Sequence, residues 1–155
     1  MPDMLVKLYD LAGKDTGSEE LLKQGIVLRR VLPPEKGIVT EWVLKHFGDH
    51  WRSECDVAIS RKPVSCFIAV RGKEILGFAC YDVTCRDFFG PTGVSEECRG
   101  LGIGKSLLLA CMKAMYEEGY AYAIIGGAGP VEFYAKSVGA VVIEGSVPGI
   151  FAGLL

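Results

Sequence analysis

The chain has 155 residues, half of them apolar, with six cysteines, two histidines and a formal net charge of −2. One domain of that length buries a core without metal or disulfide staples. There is no basic block to meet a phosphate backbone, which excludes nucleic acid as the main partner, and no apolar run reaches the ~18 residues of a membrane span. Met1-Pro2-Asp3-Met4 lacks the basic and apolar regions of a signal peptide. None of Cys55, Cys66, Cys80, Cys85, Cys98 and Cys111 forms a CxxC pair, and His46 and His50 find no cysteine pair to complete a zinc set. The expectation is a cytoplasmic protein with reduced, buried thiols and no metal.

Met4 to Leu11 reads as a short strand, and Ser18 to Gln24 as a short helix with Ser18 as N-cap and Gly25 after it. Ile26 to Leu32 is a second strand, stopped by Pro33-Pro34. Ile38, Val39, Trp42, Val43 and Phe47 recur at helical spacing between Glu35 and Phe47, and a further helix runs from Trp51 to Ser60. The period then changes. Val64 to Val70 and Glu74 to Val83 form a hairpin about Arg71-Gly72-Lys73. Phe88 to Val94 is a strand interrupted by Gly90-Pro91 and Gly93, which suggests a bulge or a splayed strand.

Lys105 to Glu118 carries Leu107, Leu108, Cys111, Met112 and Met115 on one helical face and is closed by Gly119. Strand Ala121–Ile125, helix Val131–Val138 and strand Ala140–Glu144 follow. Hairpins first and a β-α-β-α-β run afterwards predict an α/β domain with a mixed (α+β) sheet. Residues 1–25 read as an N-terminal extension packed on a domain of residues 26–155.

Between the splayed strand and the long helix lies Arg99-Gly100-Leu101-Gly102-Ile103-Gly104-Lys105-Ser106. Free N–H groups at a helix start, beside a fixed cation, suit a phosphorylated ligand. A Walker A loop needs a glycine where Arg99 stands, and a dinucleotide-binding turn needs its third glycine where Lys105 stands. Both registers fail.

The remaining pattern, Val94-x-x-x-x-Arg99-Gly100-x-Gly102-x-Gly104, resembles the acyl-CoA pyrophosphate loop of the GNAT superfamily of N-acetyltransferases. Further on, Phe133-Tyr134-Ala135-Lys136-Ser137-Val138-Gly139-Ala140 resembles that family's Phe-Tyr-x-x-x-Gly-Phe segment, with Ala140 in the usual aromatic position. The resemblance spans about Ile26 to Glu144. It implies a central, mostly antiparallel sheet, flanked by helices and splayed at the cofactor site, and acetyl-CoA (or coenzyme A) as co-substrate without a metal. Thr92, Gly93, Val94, Arg99, Gly100, Leu101, Gly102, Ile103, Gly104, Lys105 and Tyr134 would line the cofactor. By the same resemblance the Val94 N–H donates to the oxyanion, and Tyr134 is the general acid to the CoA thiolate.

The activity so implied is acetyl transfer to a primary amine, on a small molecule or a protein, by direct attack in a ternary complex. No cysteine stands as a nucleophile. The alternatives are a non-catalytic acyl-CoA sensor, or transfer of another acyl group or to a hydroxyl. Glu54, Asp82, Asp87, His46 and His50 are options for a base, and none is singled out. Gly126-Gly127-Ala128-Gly129-Pro130 replaces a stretch where many family members carry a ligand-holding asparagine. Phe88, Phe89 and Trp51 either line the acceptor pocket or pack the core. The apolar tail from Gly145 to Phe151 either caps the cleft or crosses to a second copy of the chain in a homodimer.

Overall fold

The computed structural model describes residues 1–155. In chain order its elements are β1 (Met4–Lys7), α1 (Ser18–Lys23), β2 (Ile26–Arg30), α2 (Lys36–Phe47), α3 (Asp49–Ser60), β3 (Cys66–Arg71), β4 (Glu74–Tyr81), β5 (Phe88–Val94), α4 (Ile103–Glu117), β6 (Tyr122–Ile125), α5 (Val131–Val138) and β7 (Val141–Val142). The strands form one seven-stranded sheet in the order β2-β3-β4-β5-β6-β1-β7. Every neighbouring pair is antiparallel except β5 and β6. The expected class, a mixed α/β domain with a mostly antiparallel sheet between helices, is the one observed.

Two cores flank the sheet. Leu107, Leu108, Cys111, Met112 and Met115 of α4 share one core with Leu21 of α1 and Tyr134 and Val138 of α5. Val39 and Val43 of α2 and Cys55, Ala58 and Ile59 of α3 share the other with Ile68, Phe78 and Cys80. The helical spacing read in the sequence marks the buried face of α4 and, at Val39 and Val43, that of α2, where Ile38 instead stands exposed.

Several boundaries depart from the sequence reading. The first strand ends at Lys7, and Leu8–Leu11 tighten into a 3-10 turn that buries Leu8 while its N–H still reaches Ala121 O at 2.9 Å. Gly17, not Ser18, holds the N-cap of α1, and its own N–H is tied to Asp15 Oδ1 at 2.9 Å. Helix α3 starts at Asp49, directly after the break at Gly48, and α4 starts two residues before Lys105. The last strand shrinks to Val141–Val142.

Strand β1 does not sit at an edge. It runs antiparallel to β6 on one side, with Val6 opposite Ala123, and to β7 on the other, with Met4 opposite Val142. The chain then crosses the α4 face through Leu11 and Leu21 and enters β2 at the far edge of the sheet. Residues 1–25 thus bridge both edges.

Strand β5 pairs with β6 only at Phe88 and Phe89. Beyond Gly90-Pro91 it stays with β4, through Thr92–Ala79, Gly93–Phe78 and Val94–Gly77, and leaves β6. The sheet opens there. The breakers Gly90 and Pro91 weaken parallel pairing at the point where the strands part.

A polar cluster lies at the other end of β5. Asp82 takes both carboxylate contacts of the Tyr120 hydroxyl (2.9 and 2.8 Å), the Asp87 N–H (2.6 Å) and Arg61 (3.3 Å). Burial, and then Asp82 beside it, push the Asp87 carboxyl up from 3.8 to about 6. The folded chain therefore binds that proton more tightly than the unfolded chain, and this group's contribution to stability falls as pH rises from about 4 to about 6. Asp87→Asn keeps a residue tolerant of φ 72 and removes the charge. With the carboxyl partly in water, the expected gain at pH 7 is on the order of 1 kcal/mol, fading towards pH 4. Urea melts at the two pH values check it; an equal gain at both would refute the charge explanation.

Candidate active site

The phosphate-loop segment follows β5 directly. Ser95 N–H bonds Leu76 O at 2.9 Å, a 3-10 turn covers Glu96–Cys98, and the chain reaches α4 through Arg99–Gly102. Gly100 and Gly102 sit at φ 89 and 85, where a side chain would be strained, and Gly102 is the N-cap. The first bond of the helix is Ser106 N–H to Gly102 O at 3.1 Å. The six N–H groups from Gly100 to Lys105 make no hydrogen bond within the chain. Neither Arg99 nor Lys105 makes an ion pair. A run of free donors at a helix start with two unpaired cations is a cradle for a diphosphate-sized anion.

The ladder also fixes where β5 points its donors. Ser95 bonds across to Leu76, so by antiparallel alternation Gly93 is the next residue bonded to β4, at Phe78. The N–H groups of Thr92 and Val94 therefore face the edge that β6 has left open. Thr92 Oγ1 is tied to Phe78 O at 3.1 Å. The sequence-predicted cofactor residues 92–94 and 99–105 thus present free donors in two places, at the opening of the sheet and at the start of α4, with the bonded N–H groups of Ser95, Cys98 and Arg99 between them.

Tyr134 stands at the base of the opening. It is 6% exposed, and its ring lies edge-to-face on Phe89, the last β5 residue paired with β6, at 6.3 Å. Its hydroxyl has no protein partner and is not among the sealed, unsatisfied atoms, so it reaches solvent. Burial of the ring pushes its pKa up to about 12. The αL residue Gly139 (φ 65) ends α5, and Ala140 is buried behind it.

The opposite wall is aromatic. Phe47 lies flat on Gly93, with Trp51 at 5.2 Å, Phe78 at 5.6 Å and Trp42 at 5.8 Å between ring centres. A Cβ at position 93 would run into the Phe47 ring. Gly93→Ala is expected to cost about 1–3 kcal/mol, the usual range for overpacking, and to tilt the flanking N–H groups. A urea melt coinciding with that of the parent would count against this.

Phe89 is core, whereas Phe88 packs beside Gly126. The candidate bases scatter. His46 stacks on Trp42 at 4.3 Å with Nδ1 at 2.9 Å from Trp42 O, and Glu54 accepts from Thr84. Asp82 and Asp87 sit at the far end of β5, about 20 Å of strand from the phosphate loop.

Long-range contacts shape the surroundings of the Gly126–Pro130 loop and the tail, for which the sequence left alternatives open. The loop Gly126–Gly129 is held by the N-terminus, through Gly127 N–H to Asp3 Oδ1 at 2.8 Å and Ala128 N–H to Pro2 O at 2.7 Å. The tail returns over the same loop: Phe151 lies beside Gly126 and Gly127, and Leu155 O meets His50 Nε2 at 2.9 Å. A hollow of about 230 Å³ beside Gly102 and Lys105 is walled by Thr16, Gly17 and Glu20. None of these contacts leaves a local signal, because each joins residues far apart in the chain.

The sequence pattern of the acetyltransferase (GNAT) family matches residues 33–140. The chain belongs to that family. No curated protein sequence matches it.

Among solved structures, it resembles the region described as a GCN5-related glucosamine N-acetyltransferase in a fungal multi-domain GH3 β-N-acetylglucosaminidase. That match has a TM-score of 0.74 and 16% identity, over 92% of this chain and 19% of the other. A GCN5-related N-acetyltransferase from Sphaerobacter thermophilus gives 0.68 and 20% identity, over 92% and 48%. An aminoglycoside acetyltransferase from an uncultured soil metagenomic sample, solved with sisomicin, gives 0.50 and 15%, over 74% and 85%. The chain therefore spans about a fifth and about half of the first two structures. At these identities the likenesses show the GNAT fold. No helix is long and apolar enough to cross a membrane.

Proposed function

We propose that this GNAT protein transfers an acetyl group from acetyl-CoA to a primary amine by direct attack in a ternary complex. The observation that carries the reading is two sets of free donors, Thr92 and Val94 on the open edge of β5 and Gly100–Lys105 at the start of α4, with the Tyr134 ring packed on Phe89 where β5 leaves β6. Acetyl-CoA supplies the acyl group as an activated thioester. The donors of Gly100–Lys105, with Arg99 and Lys105, hold its diphosphate. The exposed edge of β5 offers partners to the pantetheine amides. The Val94 N–H lies where it can donate to the carbonyl oxygen as charge builds there, a contact of about 2.7–4 kcal/mol in comparable sites.

Tyr134 serves the leaving thiolate. A phenol near 12 loses its proton to a thiolate near 8.5 only uphill, by roughly 3.5 units or ~5 kcal/mol. Tyr134 therefore acts as a hydrogen-bond donor, passing on a proton only as the one shed by the amine replaces it. No residue is assigned as the base; an ordered water path would serve the amine. The six free cysteines suit a reducing compartment such as the cytoplasm.

The tail supplies the acceptor-side wall. Phe151 and the His50–Leu155 contact span the mouth between the Gly126 loop and the start of α3. Phe151→Ala is expected to change the KM of the amine several-fold and leave that of acetyl-CoA alone; equal changes in both would move the tail away from the acceptor. The reading as a whole is tested by thiol release from acetyl-CoA against an amine panel, with products identified by mass. Acetylated amine with matching CoA release supports it. Tight CoA binding with no release for any amine would favour a sensor, and release only with alcohols would favour a hydroxyl acceptor.

A further inference from the structure

Three cysteines from three different elements meet under α3. Cys66 of β3 and Cys80 of β4 are directly opposite in the sheet register, and Cys55 of α3 comes down on them from above. All three are 0% exposed. Their sulfur atoms lie within 4.8 Å of one another, with Cys55 Sγ to Cys66 Sγ at 3.9 Å. They are 11 and 14 residues apart in sequence, so no ligand-spacing rule points to them.

The size of this triangle matters. A trigonal site with metal–thiolate bonds of about 2.3 Å needs sulfurs roughly 4 Å apart; the Cys55–Cys66 pair is already at 3.9 Å, and Cys80 lies within 4.8 Å of both. Only small side-chain movements separate the present arrangement from trigonal coordination. The surroundings are Val31, Val43, Ile59, Phe78 and other apolar groups, and no carboxylate or imidazole joins the cluster.

We propose that Cys55, Cys66 and Cys80 form a three-coordinate sulfur site for a soft monovalent metal ion of the Cu(I) class. Sulfur ligands alone select soft ions. The missing fourth ligand disfavours zinc, which takes four in its structural sites. The thiols give up their protons to solvent as the ion binds, so thiolate sulfurs coordinate it with no change of oxidation state. The ion would tie α3 to the sheet, and it must enter by local opening of α3.

The test is an anaerobic titration of the reduced, full-length protein with Cu(I) in competition with a chromogenic Cu(I) chelator. It is followed by copper X-ray absorption and thermal melts. The expected result is one equivalent bound, three sulfur neighbours at about 2.3 Å and a melting point raised by several degrees. Cys80→Ala is expected to weaken binding at least 100-fold, and Cys85→Ser, at a partly exposed thiol outside the cluster, to leave it unchanged. Should Cys80→Ala fail to fold, Cys55→Ala removes the ligand from the helix side instead. Fewer than three sulfur neighbours, undiminished binding in a folded cysteine variant, or equal affinity for Zn(II) would each overturn the proposal. These readouts do not depend on acyl transfer.

Discussion

Tyr134→Phe is expected to lower the acetyl-transfer rate by about 100-fold, at the lower end of the effect of a positioned proton donor, with the KM for acetyl-CoA unchanged. The phenylalanine keeps the edge-to-face contact with Phe89 and the packing of α5, so the fold stays intact. Only the hydroxyl at the foot of the opening is lost. Because burial holds that hydroxyl protonated up to about 12, it does not titrate in the working range, and the shape of the pH–rate profile should also stay the same. Steady-state kinetics across pH measures both. A variant with full kcat would remove Tyr134 from the mechanism. A changed profile would mean that its hydroxyl helps set the pKa of the amine.

Val6→Asp is expected to abolish cooperative folding. Val6 is 0% exposed in a strand with neighbours on both sides, and no cation lies opposite it at Ala123. An unpaired charge there costs several kcal/mol, against a total stability of about 5–15 kcal/mol for a domain of this kind. Deleting residues 1–25 should do the same, since β7 then loses its partner and Met4, Leu8 and Leu21 leave the core. Urea melts followed by circular dichroism give the answer. A deletion variant with a sigmoidal melt and the parent's m-value would show that the extension is dispensable.

These two expectations differ in how far the sequence foresaw them. Tyr134 and the Arg99–Lys105 loop were legible because both rest on local patterns: alternating glycines before a helix, and a Phe-Tyr pair ahead of an αL glycine. The splay was legible too, since Gly90-Pro91 breaks the strand where it parts from β6. Local backbone chemistry is enough for such features. The place of β1 was not legible, because a four-residue strand carries no mark of whether its partners lie nearby or more than a hundred residues along the chain. Nor was the aromatic wall over Gly93, which brings the end of α2 onto β5.

By itself the sequence determined the main element types, the buried face of α4 and the glycine register of the loop before it. Those follow from periodicity, glycine conformation and free donors within a few residues of one another. The tertiary structure decided the rest. Strand pairing put β1 inside the sheet and turned the Thr92 and Val94 donors towards the opening. Packing of α3 on the sheet brought Cys55, Cys66 and Cys80 together, and the returning tail laid Phe151 beside Gly126 and Gly127. Contacts of that kind are set by burial and register over the whole chain, and no short stretch of residues encodes them.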